Sequence, residues 1–129
     1  MRVRWPSRRR SEDGKTRRSR GRRAEALALL ALMLRGYRPV ARNLRTPVGE
    51  IDLVVRRGRV LAVIEVKTRG SLADAAESIR PEQQARIRRA AEWLLNRRPD
   101  LAHLTIRFDA VLVLPARWPR HLADVDRQQ

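Results

Sequence analysis

Gly49-Glu50-Ile51-Asp52-Leu53-Val54-Val55-Arg56-Arg57-Gly58-Arg59-Val60-Leu61-Ala62-Val63-Ile64-Glu65-Val66-Lys67 is the stretch that decides the fold. It reads as a strand over 50–55, a tight turn over 56–59 built on Gly58, and a strand over 60–68, an antiparallel hairpin. Apolar residues dominate both strands, yet acids stand where a core strand carries aliphatics. Side chains two apart on a strand share a face, so Glu50 and Asp52 point one way and Glu65 and Lys67 point together. The turn makes those polar faces neighbours. Adjacent carboxylates repel and resist burial unless a cation sits between them. Mg²⁺ or Mn²⁺ suits that position, because Mg²⁺ takes oxygen ligands from one or two carboxylates and shares them with water and substrate phosphate. The competing reading is a surface salt bridge from Glu65 to Lys67 beside an exposed Asp52.

The rest of the composition bears on Lys67. Among 30 basic residues only Lys15 and Lys67 are lysine, so a compact, titratable ammonium two residues after Glu65 stands out in a chain that otherwise writes arginine. Beside a metal it could orient or deprotonate a water, or neutralise charge building on phosphorus oxygens. The net charge of +16 and pI near 11.9 point to a polyanionic partner, nucleic acid and most naturally DNA. The alternative is an arginine excess set by genome composition and spread over a solvated surface. No basic amphipathic helix with bulky aromatics suggests a lipid surface. The absence of cysteine removes disulfides, zinc knuckles and thiol catalysis. The longest apolar run, over 26–34, is nine residues, too short to cross a bilayer, and no signal peptide is visible. A cytoplasmic protein without membrane contact is expected.

With 129 residues there is room for one domain, expected over 20–129 behind a flexible basic tail over 1–19. That tail reads equally as an arm for a phosphate backbone or as a solubility extension. A helix is expected from 19–22 to Arg35, with Gly36 as a left-handed cap. Glu25, its lone acid, leans on an apolar face, where such a residue ordinarily pairs with an arginine. A first strand over 37–44 precedes the hairpin, and a loop of small and polar residues spans 70–80. A second helix opens at Pro81, buries Ile87, Ala90, Ala91 and Leu94, and stops before Pro99; a last strand covers 106–114. Helix, three strands, helix, strand is an α/β order whose final strand can run parallel to a neighbour across the second helix.

An acid, a gap of about a dozen residues, then Glu-x-Lys resembles the PD-(D/E)XK nuclease superfamily. Gly49-Glu50-Ile51-Asp52-Leu53, Glu65-Val66-Lys67-Thr68-Arg69, Arg42-Asn43 and Arg107-Phe108-Asp109 look more closely like the YraN family, small bacterial proteins similar to archaeal Holliday-junction resolvases. The likeness covers about residues 20–125. It implies a restriction-endonuclease-like αβββαβ core with a mixed central sheet flanked by helices. It further implies Asp52 and Glu65 as metal ligands, Glu25 as an outer acid of the same site, Lys67 as the catalytic lysine, and Gln83 reaching the site from the second helix. Two departures are visible. Glu82 stands where such proteins carry a basic residue, and the segment 70–79 lacks their phenylalanine and glycine.

The function expected is metal-dependent endonuclease action on DNA, selective for structure because no base-reading module is visible; a homodimer would suit a branched substrate. The alternative is a non-catalytic nucleic-acid binding protein that keeps the nuclease fold. Arg42, Arg69, Arg86 and Arg89 are the expected phosphate contacts. His103 and His121 read as isolated surface residues, Asp109 as the partner of Arg107 in a structural ion pair, and Trp93 as core. Trp5 and Trp118 could stack on bases. No nucleotide cofactor is indicated.

Overall fold

The computed structural model describes residues 12–68 and 81–125. The elements are α1 (Glu12–Met33), β1 (Arg38–Thr46), β2 (Gly49–Arg57), β3 (Val60–Thr68), α2 (Pro81–Arg97), a 3-10 turn (Pro99–Leu101), β4 (Thr105–Val113) and β5 (Arg120–Leu122). The expected α/β order αβββαβ is present, with β5 added at the edge. One mixed sheet runs β1-β2-β3-β4-β5, and only β3 and β4 are parallel.

Alternation along the central strands builds two cores. On one face Val54, Leu61 and Val63 meet Ile87, Ala90, Ala91 and Leu94 of α2. On the other, Leu53, Val55, Ala62 and Ile64 meet Ala28, Leu29 and Leu32 of α1. Strands covered on both sides are apolar at nearly every position, which is why β2 and β3 lack the polar-out pattern of a one-sided sheet.

One boundary differs from expectation. Helix α1 begins at Glu12, inside the segment read as a tail; its apolar periodicity starts only at Ala24, but arginine and lysine are good helix formers and extend the helix without a buried stripe. Residues 1–11, Trp5 among them, lie outside the described residues. The C-terminal end behaves as read: Gly36 takes φ 93, and the N–H of Tyr37 closes back on the carbonyl of Leu32. The expected loop over 70–80 and Arg69 also lie outside the described residues.

Strand β5 was not foreseen, and it changes the reading of His121. β5 returns antiparallel to β4, pairing Val111 with His121, so the imidazole lies diagonally across from Asp109. His121 Nε2 sits 2.7 Å from Asp109 Oδ2, and Nδ1 sits 3.2 Å from Nη1 of Arg35. It is therefore not an isolated surface residue; the sequence shows no spacing that pairs it with Asp109, because the contact depends on a three-residue strand. His103 is exposed, as expected. The ion pair of Arg107 with Asp109 is present and bidentate, at 2.8 Å for both bonds, and Arg107 also donates to the Tyr37 hydroxyl. The N–H of Asp124 supplies one more donor to Asp109, at 2.9 Å. Trp93 is half-buried, with the Arg97 guanidinium 4.1 Å from its ring centroid.

Burial alone pushes the Asp109 carboxyl up, but hydrogen bonds from His121, Arg107 and the Asp124 N–H outweigh it and hold the group at about 2, against an ordinary 3.8. A folded value below the unfolded one stabilises the protein above the unfolded value, and that contribution is lost as pH falls from about 4 towards 2. Asp109→Ala should therefore cost about 2–4 kcal/mol at pH 7, since it strands the partly buried Arg107 and unties β5. Urea denaturation at pH 7 and pH 2.5 checks this. The gap between wild type and variant should shrink in acid, and a gap that ignores pH would show that Asp109 is not the anchor.

Candidate functional site

The site forms where β2 leaves β3. Ladder pairing runs from Arg57 opposite Val60 to Leu53 opposite Ile64, and one further step along that register sets Asp52 opposite Glu65. There the Asp52 side chain replaces backbone pairing: its Oδ2 accepts the N–H of Val66 at 2.8 Å. The next residue, Ile51, packs with Leu44 in the α2 core although alternation from Leu53 assigns it to the other face. β1 is interrupted at the same level by Asn43 at φ 49, a left-handed conformation that asparagine tolerates better than most residues. The opening between β2 and β3 gives Asp52 neighbours from both faces of the sheet.

Glu65 and Lys67 follow Leu61 and Val63 onto the α2 side. Both are buried, at 8% exposure each, and Lys67 Nζ lies 2.8 Å from Glu65 Oε1. The salt bridge of the competing reading exists, but not at the surface. From the first turn of α2, Gln83 Oε1 accepts a hydrogen bond from Lys67 Nζ at 3.0 Å, so the ammonium is held between a strand and a helix. From the opposite face Glu25 of α1, half-buried and with Oε2 fully enclosed, comes near enough to Asp52 to oppose its ionisation. The five residues expected at the site, Glu25, Asp52, Glu65, Lys67 and Gln83, thus meet around one opening.

A pocket of about 540 Å³ lies in front of them. Asp52, Glu65 and Gln83 line it together with Glu50, Glu82 and Arg86. Its wall depends on Gly49: a Cβ there would stand 3.2 Å from the carbonyl oxygen of Arg86, so glycine lets the start of β2 lie against the backbone of α2. Of the expected phosphate contacts, Arg86 lines the pocket. Arg89 is exposed one turn further along α2, and Arg42 is exposed on β1 without reaching the pocket. Glu50 and Glu82 were not assigned a role from sequence. Glu82 carried a signal all the same, as an acid where the family resemblance calls for a base.

Among the described residues, no three of His, Cys, Asp and Glu gather tightly enough to hold a metal by themselves. The chemistry of the donors nevertheless suits a hard divalent cation bound through one or two carboxylates, with water and phosphate completing its shell. Asp52 shows why. Burial raises its carboxyl from 3.8 to about 6, the Val66 N–H opposes the rise, and the charges of Glu25 and Glu65 add to it beyond what Lys67 takes back. Negative charge is crowded here beyond what the single ammonium relieves.

Desolvation of Asp52, with the charges of Glu25 and Glu65 adding to it, sets a pH signature. The folded value lies above the unfolded one, so the folded protein keeps its proton longer, and stability falls as pH rises from about 4 to about 6. Asp52→Asn keeps an oxygen for the Val66 N–H and removes the charge. The variant should be more stable than wild type at pH 8 by about 3 kcal/mol, the equivalent of roughly two pKa units, and should lose that advantage below pH 4. Parallel stability curves from pH 3 to 8 would mean that the acids do not crowd.

The comparisons with known proteins converge on one family. A model of the uncharacterised protein family UPF0102 matches residues 24–113, the span that holds Glu25, Asp52, Glu65, Lys67 and Gln83. The UPF0102 protein of Parvibaculum lavamentivorans is 64% identical over 107 residues, which cover 83% of this chain and 80% of that relative. That of Methylorubrum extorquens is 56% identical over 103 residues, 80% of each chain. That of Caulobacter vibrioides is 48% identical over 115 residues, 89% of this chain and 92% of the relative. With the family model matching well over half of its length and relatives this similar, the chain belongs to the uncharacterised protein family UPF0102.

Proposed function

We propose that this protein is a metal-dependent endonuclease of the PD-(D/E)XK superfamily that hydrolyses phosphodiester bonds in DNA and selects its substrate by structure. One observation carries the reading: a lysine and a glutamate buried as an ion pair on β3, with the Asp52 carboxyl across the strand opening and both acids lining an open pocket. Phosphate binding alone needs no buried acids, since carboxylates repel phosphate. A stabilising role is a poor explanation too, because a buried ion pair is often no better than well-packed apolar residues of the same size.

Each residue has a task in phosphodiester hydrolysis. Asp52 and Glu65 would hold Mg²⁺ or Mn²⁺, with Glu25 behind Asp52 adding negative charge. Such an ion supplies Lewis acidity towards a phosphoryl oxygen and an acidified water. Lys67, fixed between Glu65 and Gln83, presents its ammonium at the edge of the carboxylate pair, where it can orient the attacking water and offset charge on the phosphorus oxygens. Gln83 takes a second of the ammonium's donors and so fixes its direction. Arg86 lines the pocket where the scissile phosphate would approach and supplies a planar donor for it. Among the described residues no separate module for reading base edges stands beside the sheet, so branched or distorted DNA is the better candidate than a defined sequence.

The test is a panel of duplex, flap, single-stranded and four-way DNA with and without Mn²⁺. Wild type should cut at least one member, and Lys67→Ala should lower the rate by about 10²–10⁴-fold while binding in EDTA changes little. Cleavage by the variant at the wild-type rate would remove Lys67 from the chemistry. A readout independent of turnover runs beside it. Mn²⁺ at about 100 times its dissociation constant should stabilise wild type by about 2.7 kcal/mol, and should stabilise Asp52→Asn much less. Equal shifts would place the ion elsewhere.

A further inference from the structure

We propose that the end of the sheet remote from the pocket is a second anchor for the phosphate backbone of duplex DNA, built from Arg38, Arg56 and Arg59. The choice of DNA as the polyanion rests on the function proposed above; the anchor itself rests on the arrangement of charge. Arg38 at the start of β1 stands directly opposite Arg56 near the end of β2. Like charges in that relation destabilise a sheet. Arg59 follows in the turn between β2 and β3, beside Gly58 at φ 58. Among the described residues no carboxylate forms an ion pair with any of the three. Arg38 and Arg59 are exposed, and Arg56 is half-buried.

The other arginines at this end have structural work. Arg57 donates to the carbonyl of Arg35 at the end of α1 and stacks 4.4 Å from the Tyr37 ring centroid. Arg35 meets His121, Arg97 covers Trp93, and Arg98 pairs with Asp100. Among the described residues Arg38, Arg56 and Arg59 have no comparable side-chain partner beyond the bond of Arg56 Nε to the carbonyl of Gly58 at 3.2 Å. Charge on an edge strand discourages pairing with other chains, which accounts for Arg38 on β1. It does not account for Arg56, because β2 is an interior strand. The platform is rigid as well: the carbonyl of Arg59 accepts the N–H of Thr105 at 2.7 Å, which ties the turn to the start of β4.

Geometry gives the anchor a length scale. From Asp52 to the turn, β2 runs five or six residues, about 17–20 Å at roughly 3.3 Å per residue. Phosphates along one strand of a duplex follow at about 3.4 Å, so the anchor lies about five or six base pairs from the pocket. A duplex arm leaving the pocket along the sheet would lay its backbone over these arginines. A substrate of a few base pairs would not reach them.

The experiment uses the full chain with Arg38→Gln and Arg59→Gln combined, which leaves the Arg56 hydrogen bond in place and removes one member of the opposed pair. Fluorescence anisotropy with a labelled 20-base-pair duplex in EDTA is followed across a salt series. The slope of log affinity against log salt should fall by about 2, near 0.9 for each lost phosphate contact, with about a tenfold or greater loss of affinity at 150 mM salt. Thermal melting should show a variant at least as stable as wild type, since a repulsion has been relieved. An unchanged slope overturns the anchor. So does a variant that melts well below wild type, or one that loses binding to vesicles containing phosphatidylserine while keeping its affinity for the duplex. Cleavage by wild type in Mn²⁺ is scored separately. A lower slope without any cutting keeps the anchor and removes the endonuclease, whereas cutting with an unchanged slope does the reverse.

Discussion

The burial of Glu65 and Lys67 on the middle strand of a two-sided sheet is the constraint on which the site depends. Charged groups at such positions are costly to desolvate, and their attraction repays that cost only when geometry is good and the remaining donors are used. Here the ammonium has both Glu65 and Gln83, and the Val66 N–H between them is taken by Asp52. The consequence reaches beyond the pair. Because Asp52 captures a backbone donor that would otherwise serve the ladder, β2 cannot stay zipped to β3, and the opening admits Glu25 from one face and Gln83 from the other. Pocket, strand divergence and ion pair are one arrangement.

Two aspartates in the same sheet, Asp109 buried and Asp52 half-buried, show what separates a structural carboxylate from a poised one. Asp109 receives donors from Arg107, His121 and the Asp124 N–H, and is held near 2. Asp52 receives one backbone donor, faces two other acids, and is held near 6. Desolvation pushes both carboxyls up, so it does not distinguish them. The balance of donors against neighbouring negative charge does. The first is satisfied and ties an edge strand in place. The second is left with a deficit that a cation can fill, and an unmet electrostatic demand facing a pocket marks a functional site more specifically than burial alone.

Much of this was legible in the residues. The hairpin follows from Gly58 between two apolar runs, the end of α1 from Gly36, and α2 from Pro81 and its buried stripe. Asp52, Glu65 and Lys67 stand out because they break strands that are otherwise aliphatic. Gln83 and Glu25 could not be placed from spacing, because their positions depend on how two helices cross the sheet; only the resemblance to a family pointed to them. What escaped was short or non-periodic. β5 has three residues and no pattern, so the partner of Asp109 at His121 was invisible. The early start of α1 was hidden because its first turns carry no apolar stripe. The role of Gly49 could not be read either, since close approach of β2 to α2 is a tertiary fact.

The distribution of charge poses a last question: why a chain of net charge +16 should concentrate acids at its pocket. Attraction between the protein and a polyanion acts through the summed charge at long range, and is screened beyond about 8 Å at physiological salt. Among the charged residues that line the pocket, Glu50, Asp52, Glu65 and Glu82 outnumber Arg86, and carboxylates oppose a phosphate. Under the proposed reading the two ranges do different work: the arginines would recruit the backbone, and the acids would refuse it unless a divalent cation arrives as well. Under the proposed reading each ligand removes a repulsion that the other would meet, so DNA and metal must strengthen one another's binding by the same factor. Such coupling guards against idle contact with the many polyanions a chain this basic will encounter. In that reading binding would be generous, while entry into the pocket would be conditional on the ion.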